Sequence, residues 1–170
     1  ARMGMWNDRR ASAADHATAL GHVVLANLEA LARIDADRAG WWVGAEGFGC
    51  EVADADDEPG QAAARDAREE QQVVWDLHLG VAPVGAGAAL ADLVPDAVRA
   101  RIDGLAAGFP AGRIVAGHDL YPVSVRAHGE RASRPLRIED RVAAYDDEAR
   151  RWHQRYRVPF WVAETSNLGL

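Results

Sequence analysis

Residues 157–167 read RVPFWVAETSN, and the reading of that stretch decides the fold. An apolar and aromatic run from Val158 to Ala163 ends on one carboxylate, Glu164, and the text turns polar at once. A short apolar run of this kind, opened by a proline, reads as a buried strand. Immediately upstream, Val142, Tyr145, Ala149, Trp152 and Tyr156 recur at three- and four-residue steps. That spacing predicts a helix over about 139–157, which Pro159 stops. The end of the chain is therefore a helix feeding a strand that delivers a glutamate.

The same alternation extends backwards. In GRIVAGHDLYPVSV (112–125) a second strand runs from Ile114 to Ala116 and is followed by His118, Asp119, Tyr121 and the strand-ending Pro122. In GWWVGAEGFGC (40–50) a third, Trp41 to Val43, is bounded by glycines and followed by Glu46. Between them lie a helix over about 61–79, with Ala63, Ala67, Val74, Trp75 and His78 on its apolar face, and one over about 95–107 with Val98, Ile102 and Leu105 inward. A first helix carries Leu20, Val23, Val24, Asn27, Leu28, Leu31 and Ile34, with Ser12 or Asp15 placed to cap it. The acidic stretch EVADADDEPG (51–60) reads as a solvated loop without the regular spacing of a calcium site, and residues 126–138 read as an Arg-rich loop. Strands separated by helices imply parallel pairing within one α/β domain over residues 1–170.

Composition narrows the function classes. The chain has 170 residues, 49% of them hydrophobic and 26% charged, which suits one soluble core. The net charge is −7, and all 19 basic residues are arginine. An acidic, evenly mixed surface argues against nucleic acid and anionic membrane as main partners. No apolar run reaches the roughly 20 residues of a membrane span, and the first residues lack the apolar centre of a signal peptide. One cysteine, Cys50, makes no internal disulfide and no Cys-based zinc cluster, and it fits a reducing, cytoplasmic setting.

In each strand the polar residues follow the apolar run, so parallel pairing places Glu46, His118, Asp119, Tyr121 and Glu164 at one sheet edge. In α/β barrels and doubly wound sheets that edge carries the active site. Carboxylates accept hydrogen bonds from hydroxyls and aromatic rings pack on sugar faces, so the set suits a sugar or polyol. Against this stands the plainer reading that a carboxylate after a strand is a cap or a loop charge, and that a histidine there is a structural one.

Four segments, in order, resemble the clan-A (β/α)8 glycosidases, family 1 glycoside hydrolases above all. RVPFWVAETSN is similar to the family's strand-seven segment, whose glutamate is the nucleophile. GHDLYP (117–122) resembles its strand-six segment, GMWND (4–8) with ANLEALARIDAD (26–37) its tryptophan loop and following helix, and REEQQVVWDLHLG (68–80) a helix with a Trp-Asp pair. The resemblance implies a partial (β/α)8 TIM barrel, about strands five to seven with their helices. It implies a fragment of a retaining β-glycosidase acting through a glycosyl-enzyme intermediate on Glu164, with no cofactor and no metal. Tyr121 would hold the nucleophile ionised, while Asp119, His118, Glu46 and Trp6 would contact the carbohydrate substrate. The chain departs from the family in carrying Asp119 for an asparagine and in having no Asn-Glu pair, the place of the family's acid/base. A fragment would therefore be inactive alone, and a non-catalytic sugar- or polyol-binding α/β module is the other expectation.

Overall fold

The computed structural model describes residues 12–35, 42–47, 49–108, 114–120 and 124–165. In chain order the elements are α1 (Ala13–Asp35), β1 (Trp42–Gly47), β2 (Cys50–Val52), α2 (Glu58–Leu79), α3 (Gly85–Ala91), α4 (Asp96–Ala107), β3 (Ile114–Leu120), β4 (Val125–Ala127), α5 (Ile138–Tyr156) and β5 (Phe160–Thr165). A 3-10 turn, Gly129–Ser133, lies between β4 and α5. The chain divides into two compact units, one of Ala1–Gly40 with Glu69–Phe109, the other of Trp41–Arg68 with Pro110–Leu170.

The first unit is helical. Ser12 opens α1: its Oγ accepts the Asp15 backbone N–H at 3.0 Å and donates to the Asp15 carboxylate at 2.7 Å. Of the two residues expected as caps, Ser12 takes the position and satisfies one of the helix's orphan donors, while Asp15 lies in the first turn and accepts the Ser12 hydroxyl. The buried face of α1 is Ala17, Val24, Leu25 and Leu28, which meet Val73 and Leu77 of α2, Leu90 and Ala91 of α3, Val94, and Ile102 and Ala106 of α4 in one core. Each fully buried Val, Leu or Ile there contributes about 1.5–3 kcal/mol. Val23 and Ile34, expected inside, are 61% and 57% exposed, because the buried stripe of α1 is centred on Val24 and Leu28.

The second unit holds two parallel sheets. One is three-stranded in the order β1-β3-β5, the other pairs β2 with β4. Helix α5 packs on β2 and β4 through one stretch and, through Trp152, on His118 of β3 and Phe160 of β5. It ends at Arg157, whose left-handed φ of 57° turns the chain, and Pro159 then leads into β5.

The expected partial (β/α)8 barrel of strands five to seven is not this architecture. A barrel segment keeps successive strands in one sheet, with a helix on each crossover. Here β2 and β4 pair apart from the other three strands, and the helices dominate. Three of them, with the C-terminal part of α2, bury a core of their own instead of lining a barrel wall. Two expected loops are also corrected. Residues 50–52 form β2, with Glu51 buried, and residues 125–127 form β4, so neither the acidic stretch nor the Arg-rich one is simply solvated.

Candidate functional site

The three-stranded sheet sets the register of its C-terminal edge. Glu46 of β1 lies opposite His118 of β3, Gly47 opposite Asp119, and Asp119 opposite Glu164 of β5. The β3–β5 ladder shifts between His118 and Asp119: His118 pairs with Val162, and the next pair is Asp119 with Glu164. One extra residue, Ala163, is accommodated on β5, as in a bulge. Neighbouring strands lie about 4.8 Å apart, so Asp119 and Glu164 occupy adjacent backbone positions and Glu46 sits two strands from Glu164. The fold thus brings Glu46, His118, Asp119 and Glu164 to one edge. Trp6 and Tyr121 lie outside the described residues.

His118 is the best-defined member of the set. It is 1% exposed, with its ring edge-on to Trp152 at 4.8 Å and to Phe160 at 5.4 Å. Burial pushes its pKa down to about 4, because the aromatic surroundings penalise the cation. At neutral pH it is therefore an uncharged imidazole within the core under the edge. Tyr156 continues the aromatic layer at 4.8 Å from Trp152, and the Arg155 guanidinium lies 5.6 Å from the Tyr156 ring centre.

A second polar group, not foreseen from the sequence, fastens the other sheet. Glu51 of β2 stands in register with Arg126 of β4, and the two side chains form an ion pair. The other Glu51 carboxylate oxygen lies 2.5 Å from His128 Nε2. Arg68 of α2 donates from Nη2 to the Glu51 carbonyl at 3.1 Å and from Nε to Glu148 of α5 at 2.6 Å. Burial raises the Glu148 pKa, against the opposing pull of Arg68. Beside them the Cys50 thiol is pushed up to about 12, first by burial, then by the charges of Glu148 and Glu51. A thiol held neutral is neither a nucleophile nor a metal ligand. The cluster joins α2, β2, β4 and α5, and its chemistry is that of a clamp.

No family model, no curated protein and no solved structure matches the chain. Among the described residues no group of three or more His, Cys, Asp or Glu is arranged to hold a metal ion. No described helix is long and apolar enough to cross a membrane.

Proposed function

We propose that the C-terminal edge of the β1-β3-β5 sheet is a carbohydrate site, and that Glu164 is its nucleophile in retaining hydrolysis of a β-glycoside. The observation that supports this is the register that sets Asp119 directly opposite Glu164 on the neighbouring strand. A retaining glycosidase uses two carboxyls about 5–5.5 Å apart. One strand spacing, about 4.8 Å, is close to that separation, whereas the two spacings to Glu46 give about 10 Å. Asp119 is therefore the candidate acid/base within this chain. In the proposed reaction one carboxyl of such a pair enters protonated and serves as the acid, as where two carboxyls share a site. The Glu164 carboxylate would attack the anomeric carbon as Asp119 protonates the departing oxygen. Water, deprotonated by Asp119, would then cleave the glycosyl ester and return both groups to their starting forms. Glu46 is left for hydroxyl contacts. We place the protein in the cytoplasm, where its single thiol stays reduced.

The test is labelling with 2-deoxy-2-fluoro glycosides of gluco, galacto and manno configuration, followed by intact-mass measurement and peptide mapping. The expected result is one covalent adduct on Glu164, absent from Glu164→Gln. A folded protein that binds the parent sugars yet gives no adduct would make the edge a binding module. One that does neither would remove carbohydrate from consideration.

A further inference from the structure

Beyond fastening its sheet, the Glu51 cluster holds one ring nitrogen that the clamp does not use. His128 Nε2 lies 2.5 Å from Glu51 Oε2; the Glu51 side chain has no exposed surface, while that of His128 is 22% exposed. A neutral imidazole has one N–H, and a carboxylate can only accept. The proton therefore sits on Nε2 and the lone pair on Nδ1. Among the described residues nothing donates a hydrogen bond to Nδ1.

The ring is also fixed in direction. The His128 backbone N–H donates to the Val52 carbonyl at 2.8 Å. The next residue, Gly129, lies against Asp57 and Gly60, and the Glu130 N–H donates to Asp57 at 2.7 Å. Arg126 holds the other Glu51 carboxylate oxygen and Arg68 the Glu51 carbonyl, so the carboxylate is itself held from two sides. His78 and His153 are placed differently: each turns Nδ1 to a backbone carbonyl, which orients a ring without bringing a full charge to it. A buried carboxylate behind a partly exposed imidazole does more. It fixes the tautomer and stabilises the positive charge that the ring acquires when its far nitrogen attacks an electrophile. Two carboxylates, Glu51 under the ring and Asp57 beside the following residue, disfavour an anionic substrate and favour a neutral carbonyl.

We propose that His128 is a second reactive centre, a nucleophilic imidazole that takes the acyl group of a small carboxylic ester onto Nδ1, with Glu51 as its positioning residue. The Nδ1 lone pair attacks the carbonyl carbon and forms an N–C bond. The ester C–O bond breaks, and the alcohol or phenol departs with its electron pair. The Nε2 proton passes to Glu51, which leaves a neutral acyl-imidazole. Water then attacks the acyl carbon, the N–C bond breaks, and Glu51 returns the proton to Nε2. The net reaction is hydrolysis of the ester to a carboxylate and an alcohol. This centre is independent of the edge of the β1-β3-β5 sheet and of any reaction there.

The test uses the full chain and two probes, diethyl pyrocarbonate and p-nitrophenyl acetate. His22, an exposed histidine of α1, is the internal reference. A histidine that only clamps, being less exposed, should react with diethyl pyrocarbonate more slowly than His22. The expected result from peptide mass mapping is carbethoxylation of His128 at least tenfold faster than of His22. A folded Glu51→Gln chain should lose that advantage. A long-range 1H–15N spectrum of the native chain should show the neutral His128 ring protonated on Nε2 and bare on Nδ1. His128→Gln should lower p-nitrophenyl acetate hydrolysis at least tenfold with the circular dichroism unchanged. Slower modification of His128 than of His22 would overturn the proposal. So would a proton on Nδ1, or a His128→Gln chain that hydrolyses the ester as fast as the native one.

Discussion

Arg68 and Glu148, eighty residues apart in sequence, meet at 2.6 Å with side chains only 16% and 5% exposed. Removing one partner of a buried pair strands the other, which typically costs about 3–5 kcal/mol. Arg68→Ala is therefore expected to lose stability on that scale in urea denaturation. Arg68→Met combined with Glu148→Leu should recover most of it, because neither charge of this pair is then left buried without its partner. The Glu148 pKa is already raised in the folded protein, so its ionisation works against folding as pH rises above its unfolded value. Without Arg68 that opposition grows, and the Arg68→Ala deficit should widen from pH 5 to pH 8. A deficit below about 1 kcal/mol, the scale of an exposed pair, would show that the pair is not buried as described.

The Asp57 carboxylate ties the start of α2 to the 3-10 turn. It accepts the Gly60 N–H at 2.9 Å and the Glu130 N–H at 2.7 Å, and these bonds lower its pKa. Gly129 makes the approach possible: its φ is +58°, and a Cβ there would lie 1.8 Å from Asp57 Oδ2 and 2.8 Å from the Gly60 Cα. Gly129→Ala should destabilise by about 1–3 kcal/mol or more, from strain at positive φ plus the clash. Asp57→Ala should lower the Tm as well. Because a depressed carboxylate pKa gives stability only above the unfolded value, the gap between native and Asp57→Ala chains should close as pH falls below about 4. A Gly129→Ala chain as stable as the native one would contradict the close approach.

The elements were legible where periodicity was long. Val142, Tyr145, Ala149, Trp152 and Tyr156 announce α5, and Pro159 announces its end, close to the observed Ile138–Tyr156. The face was less so: Val142 is 64% exposed while Glu148 is buried, since Arg68, from a distant helix, neutralises a charge that local sequence would turn outward. Strands β2 and β4 have only three residues each, too short to alternate visibly, and Glu51 reads as one of an acidic run until its partners Arg126 and His128 are known. How the elements assemble was not legible. The order of helix and strand fits one barrel wall as well as one unit with two sheets and another with a helical core, and the choice rests on long-range pairing. Of the candidate site, the edge placement of Glu46, Asp119 and Glu164 follows from parallel pairing, but the one-residue irregularity that sets Asp119 opposite Glu164 has no local signal.

Cys50 gives a test of how tightly β2 is held. Its side chain is buried and its thiol is pushed up to about 12, so at pH 8 it is almost wholly protonated. A disulfide reagent such as 5,5′-dithiobis(2-nitrobenzoate) should label the native chain only as fast as it opens. Labelling should be immediate in denaturant and at least a hundredfold slower in buffer. Rapid labelling in buffer would mean that the β2–β4 sheet opens freely.

The His118 ring predicts a pH dependence of stability with a definite window. Its pKa falls from 6.5 to about 4 on folding, so between those values the unfolded chain binds more protons than the folded one. Stability from this group is complete above about pH 6.5 and is lost progressively as pH falls toward 4. At 1.36 kcal/mol per pKa unit the full loss is about 3 kcal/mol. His78 is also shifted down by burial, so it adds to the slope in the same sense. The Asp57 and Asp140 carboxylates, held low by backbone N–H donors, act mainly below this window. His118→Phe keeps an aromatic ring against Trp152 and Phe160 but cannot take up a proton. Guanidinium denaturation at pH 4.5, 5.5, 6.5 and 7.5 should show native stability falling at the acid end and the His118→Phe chain much flatter. If the two curves run parallel, folding does not lower the His118 pKa, and the ring is not desolvated within the aromatic layer.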